Sequence, residues 1–118
     1  MNPNRVSISV ADDFSKTPGS RYPSEGDHSG QDFRSKLLYP KLREAIASNG
    51  KLVVDLDRTS GFGTSFLEES FGGLVRENGI SVAQIERCME FISEEEPSLI
   101  EEVMHYIKQA EAERGKNE

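Results

Sequence analysis

The sequence predicts an α/β domain: a small mixed β-sheet of three to four strands packed by helices. Three observations carry that reading. Val6–Ala11 alternates apolar and polar residues with period two, the pattern of a strand with one buried face. Lys51–Asp57 centres on Leu52-Val53-Val54, a continuous apolar run that suits a central strand buried on both faces. Around these strands, apolar residues recur at helical spacing over 33–46, 66–75 and 99–110.

Each element has local reasons. Residues 12–32 hold Pro18-Gly19, Pro23, Gly26 and Gly30, with few apolar residues beyond Phe14 and Tyr22, which predicts a long surface loop. Ser29 with Asp32 three residues on marks a helix start. Phe33, Leu37, Leu38, Leu42, Ala45 and Ile46 then form one side of that helix. Pro40 cannot donate to the carbonyl of Lys36, so it should kink or divide the helix. Asn49-Gly50 ends it.

After the Lys51–Asp57 strand a helix is predicted from Ser65, with Phe66, Leu67, Phe71, Leu74 and Val75 on one side. Gly72-Gly73 inside it costs about 1 kcal/mol per glycine in propensity, which predicts a close approach of this helix to the sheet. Asn78-Gly79 closes it. Ser81–Arg87 reads as a helical turn leading into a strand over Cys88–Ser93, with Met89 and Phe91 on one face; the competing reading is one helix from Ser81 to Ile92. Pro97 at a first helical position opens the last helix, behind Glu94, Glu95 and Glu96, whose charges favour the positive end of its dipole. Leu99, Ile100, Val103, Met104, Ile107 and Ala110 form its apolar stripe, and 111–118 is a polar tail.

The 118 residues suit a single domain with its core over about 5–110. A net charge of -7 without a basic stripe argues against nucleic acid, whose phosphates are bound by clustered Lys and Arg, and equally against an anionic membrane surface. No stretch approaches the roughly 20 apolar residues that span a bilayer. The first residues lack the apolar run of a signal peptide. Cys88, the one cysteine, has no partner for an internal disulfide and is expected in the core. The expected location is cytoplasmic.

The most informative segment is Gly61-Phe62-Gly63-Thr64-Ser65-Phe66-Leu67-Glu68-Glu69, a glycine-flanked helix start directly after the buried strand. Ser65 with Glu68 three residues on has the pattern of a capping box. The same geometry sets a hydroxyl where free amides and the helix dipole favour a bound anion or an added phosphate. Gly61 and Gly63 let the backbone come close to a partner. Phe66, Glu68 and Glu69 are further candidate contacts on this segment.

From Val53-Val54-Asp55-Leu56 to Ser65-Phe66-Leu67, the chain resembles the strand, loop and helix of STAS domains, the anti-sigma-factor antagonist fold. More closely, Thr64–Glu69 with Phe71-Gly72-Gly73-Leu74-Val75-Arg76 resembles the STAS-like family of unknown function, DUF4325. Arg21, Gly26, Ser29-Gly30 and Phe33-Arg34 extend that likeness, which covers roughly residues 5–110. The resemblance implies a STAS-like fold and a regulatory or adaptor domain that is not an enzyme. In STAS antagonists a partner kinase phosphorylates a serine at this helix start and so breaks binding to an anti-sigma partner. Ser65 falls on that position and Thr64 on the one before it, with Gly63 and Phe66 standing where the antagonist pattern has an acid and a glycine. The resemblance also implies a protein partner such as a histidine-kinase-like ATPase.

A second reading is a sensor of a nucleotide or another anionic small molecule. The helix amides would hold the anion, Arg21 and Arg34 would bracket it, and Ser29-Gly30 would offer further amides, with Arg58 a further cation. No catalytic group, metal or cofactor is expected. His28 and His105 lack ligand spacing with Cys88, and no motif places a base beside Ser65. Gly61-Phe62-Gly63 lacks the further glycine of a dinucleotide fingerprint. A homo-oligomer through an exposed sheet edge or the last helix stays open as an alternative.

Overall fold

The structure is a computed structural model that describes residues 5–116. The chain runs β1 (Arg5–Ser9), α1 (Gly30–Phe33), α2 (Tyr39–Ala47), β2 (Lys51–Asp55), α3 (Thr64–Leu67), α4 (Gly73–Arg76), α5 (Val82–Cys88), β3 (Met89–Ile92) and α6 (Ser98–Lys116). The three strands make one sheet in the order β1-β2-β3. All pairing is parallel, with Val6, Leu52 and Met89 aligned in one row and Ile8, Val54 and Phe91 in another. The architecture is the expected α/β one, but the sheet is not mixed among the described residues. Helical crossovers return the chain to the same end of the sheet before each new strand, and a parallel neighbour is the result.

Both crossovers step in the same direction, so with one hand they lay their helices on one face of the sheet. Ile8, Leu52, Val54 and Met89 enter the core on that face, with Val6 and Phe91 packed against it. The other face presents Arg5, Ser7, Ser9, Lys51, Asp55 and Glu90. Val53 lies at its centre and is nevertheless only 3% exposed. Arg5 of β1 donates to Glu90 of β3 at 3.1 and 2.8 Å, a pair that must cross β2 to form. Central burial of β2 on both faces therefore holds.

Three helical stretches widen so that a backbone N–H reaches the fifth carbonyl back. Ser15 donates to Val10 (2.8 Å), Tyr39 to Arg34, and Gly73 to Glu68. The first of these ends β1 at Ser9, earlier than the alternation suggested, and draws Val10 and Ala11 into the core. The second, Arg34–Leu38, is the consequence of Pro40. The helix accommodates the lost donor by a bulge and continues into α2, so the proline neither stops nor splits it.

The predicted boundaries are otherwise largely those observed. The Ser29 hydroxyl accepts from Asp32 N at 3.1 Å at the head of α1. Asn49, at φ 56°, takes the left-handed position after α2. Short helix then strand is the arrangement of α5 and β3, and Ser81 and Gln84 close a reciprocal capping box at the start of α5. Cys88 is buried in the core. The last helix extends through 111–116, where Glu111 accepts from Val82 N at 2.9 Å. Residues 117 and 118 of the expected tail lie outside the described residues.

Candidate functional site

In a parallel sheet all strands end on the same side, and the loops that follow them form one rim. Asp57 knits that rim together. Its carboxylate accepts from Glu94 N (3.1 Å) and Glu95 N (3.0 Å), which fixes the loop after β3 to the loop after β2. Arg58 brings in the third loop. Its backbone is left-handed at φ 71°, its N–H donates to Glu95 Oε1 at 2.7 Å, and its guanidinium reaches Asp12 (2.7 Å), Ser9 (3.1 Å) and Asp55 (3.3 Å). Asp12 first, and Asp55 after it, hold the Arg58 guanidinium more firmly protonated than usual. Between the loops lies a cleft of about 210 Å³, with Leu56 and Leu99 beneath, Phe62 at one side, and Thr59, Ser60, Glu95 and Glu96 around it.

The start of α3 adjoins this cleft. Gly63, not Ser65, is the capping residue; its carbonyl accepts from Leu67 N at 3.2 Å. The Ser65–Glu68 capping box does not form. Ser65 is the second residue of the helix, and the Glu68 carboxylate is held by Arg76 (2.7 and 3.2 Å) and by Arg21. Thr64 and Ser65 are exposed residues, with the Thr64 side chain bonded to Tyr106, and the amides of Thr64, Ser65 and Phe66 have no acceptor within the helix. Gly61 (φ 131°) and Gly63 are open: a Cβ added at either would meet nothing within 4 Å.

Other candidate contacts are interior. Phe66 is fully buried and stacks on Phe33 at 5.8 Å, and Ser29 and Gly30 are buried with it. Two aromatics that the sequence did not single out as contacts stand in their place. Phe62 and Phe14 are half-buried against Phe66 (5.8 and 6.3 Å), and exposed His28 packs edge-on to Phe14 at 5.7 Å. Tertiary packing is the only signal that selects them, because each follows or precedes residues of loop composition.

Arg21 and Arg34 are brought together around carboxylates of the chain itself. Arg34 donates to Glu69 Oε2 at 2.5 Å and to the Glu69 carbonyl at 2.6 Å. Arg21 pairs with Glu68 and reaches Glu69 at 3.4 Å, as does Arg76. Burial pushes the Glu68 carboxyl up, and Arg76 and Arg21 together more than offset that, holding it below the usual carboxylate range. Glycines make room for this cluster. A Cβ on Gly73 would overlap the Arg34 guanidinium and one on Gly30 would come within 2.7 Å of the Phe66 carbonyl. Close approach at Gly72-Gly73 is thus to Arg34, Glu68 and the Tyr106 carbonyl, rather than to the sheet.

Among the described residues no group of three His, Cys, Asp or Glu is placed to hold a metal ion, and no helix is long and apolar enough to cross a membrane. The family model described as "STAS-like domain of unknown function (DUF4325)" matches residues 29–99. The match runs from the Ser29 cap to Leu99 at the cleft and includes the start of α3, while β1 and Arg21 precede it. No curated protein and no solved structure matches the chain.

Proposed function

Since the chain belongs to the family of STAS-like domains of unknown function, we propose that it is a cytoplasmic regulatory or adaptor domain, controlled by phosphorylation, that binds a protein partner at Thr64 and Ser65. The observation that carries this reading is the exposure of two adjacent hydroxyl-bearing residues on a helix whose cap is supplied by Gly63. Neither hydroxyl is needed to start the helix, and both stand beside open glycines and the half-buried ring of Phe62.

A phosphate on Ser65 adds about -1.5 to -2 charges at pH 7. It would lie one helical turn from Glu68 and Glu69, on a rim already acidic through Asp12, Glu95 and Glu96. An interface that excludes water there loses affinity by the cost of desolvating the new dianion. The domain acts by binding and not by catalysis, and a histidine-kinase-like ATPase is the partner class that fits.

The test is direct. Incubation with a candidate ATPase partner and ATP should add one phosphate, located by mass spectrometry to Thr64 or Ser65. Ser65→Asp should weaken partner binding at least about tenfold, the scale of a 1.4 kcal/mol change. Unchanged binding of both Ser65→Asp and Thr64→Asp overturns the proposal.

A further inference from the structure

The cleft beside the start of α3 has a chemistry of its own. Its lining joins buried Leu56 and Leu99 and half-buried Phe62 with exposed Glu95 and Glu96. Among the described residues no cationic side chain lines it. At about 210 Å³ it is smaller than the roughly 300–1,000 Å³ of sites that enclose cofactors and drug-sized molecules. Its size suits one long side chain.

A lining of apolar, aromatic and acidic residues is complementary to an aliphatic stem that ends in a cation. Much of the acidic rim is already satisfied: Asp57 by two amides and one Glu95 oxygen by the Arg58 N–H. Glu96 is different. Among the described residues its carboxylate enters no ion pair, and Glu96 is an exposed residue of the cleft lining. We infer that this cleft receives one arginine or lysine side chain of the partner protein, seated over Leu99 and against Phe62 with its charge on Glu95 and Glu96. The inference rests on the reading of Thr64 and Ser65 as a partner surface, since Phe62 belongs to both. It adds that the partner is cationic at this point and that it anchors in the cleft as well as on the helix.

A nuclear magnetic resonance titration of the isotopically labelled chain tests this with two probes. One is the capped tripeptide acetyl-leucyl-arginyl-leucinamide; the other replaces arginine by neutral citrulline. Saturable shifts confined to the amides of 59–62 and 93–99 are expected with the arginine peptide and not with the citrulline one. The double variant Glu95→Gln, Glu96→Gln keeps the acceptor for Arg58 N–H and should raise the peptide Kd by about fivefold, with well-dispersed spectra showing that the fold is intact. Equal shifts with citrulline overturn the inference, as do shifts spread along the acidic surface of α6. If Ser65→Asp abolishes partner binding while the cleft ignores the arginine peptide, the cleft assignment falls and the role of Ser65 stands.

Discussion

Arg34 and Glu69 form a buried pair in which one guanidinium nitrogen donates to both the carboxylate (2.5 Å) and the backbone carbonyl (2.6 Å) of the same glutamate. They are 7% and 3% exposed, and each lies in a wide helical turn. Removing one member leaves a charge that water cannot reach. Glu69→Leu is expected to lower the unfolding free energy by about 3–5 kcal/mol in urea titration, and Arg34→Met by less, because Glu69 keeps Arg21 and Arg76 at 3.4 Å. Replacing both together should cost clearly less than the two losses added, because no buried charge is then left alone.

Glycine positions around the pair should reverse the ordinary helix scale. Alanine in a helix gains up to about 1 kcal/mol over glycine. At Gly30 its methyl would come within 2.7 Å of the Phe66 carbonyl, a backbone atom that cannot swing away. Gly30→Ala is therefore expected to destabilise by about 1–3 kcal/mol, and Gly73→Ala to do the same by displacing Arg34. Gly63→Ala, with open space around it, should stay within about 1 kcal/mol. Calorimetric melting of the three variants separates these outcomes.

The cap assignment makes Ser65 dispensable for stability. A true capping serine costs about 1 kcal/mol when changed to alanine. Ser65→Ala should change stability by less than about 0.5 kcal/mol, the usual range of an exposed surface site. Gly63→Asp should gain a few tenths of a kcal/mol by supplying the missing side-chain acceptor. Urea midpoints of the two variants check both statements.

Acid should loosen the carboxylate cluster. The folded carboxyls of Glu68 and Glu90 titrate below their ordinary range, Glu68 through Arg76 and Arg21 against the upward push of burial, Glu90 chiefly through Arg5. A carboxyl lowered in this way stabilises the fold above its unfolded value, near about 4.3, and loses that contribution as pH falls through the folded value. Stability should be level from about pH 7 to pH 5 and decline below about pH 4. Arg76→Gln should cost more at neutral pH than in acid, its cost shrinking as pH falls through the folded value of Glu68; urea titrations across that range measure the difference.

Strands and most boundaries were legible because their causes are local. Leu52-Val53-Val54, the Ser29 cap, Asn49-Gly50 and the order of α5 and β3 follow from residues within a few positions of one another. Ser65 misled for the opposite reason. Its capping partner Glu68 is claimed by Arg21, 47 positions away, and by Arg76. Arg34 and Glu69 read as candidate contacts for an anion and a partner, because burial of such residues is rare unless they are paired, and the pairing is a tertiary fact. The one hint was glycine itself: Gly30, Gly72 and Gly73 are small where large neighbours had to pass.

The sheet order has a consequence for assembly. β2 is the middle strand and lies near the middle of the chain, so each of its neighbours depends on it alone. The segment before Lys51 holds one strand with nothing to pair, and so does the segment after Asp55. Both ladders are long-range, so their loop-closure entropy is spent before any strand contact is gained. Among the described residues, no fragment that lacks β2 has a ladder to nucleate on. A chain severed in the exposed turn at 58–61 still keeps β1 with β2, whereas one severed ahead of Lys51 strands β1 with no ladder at all.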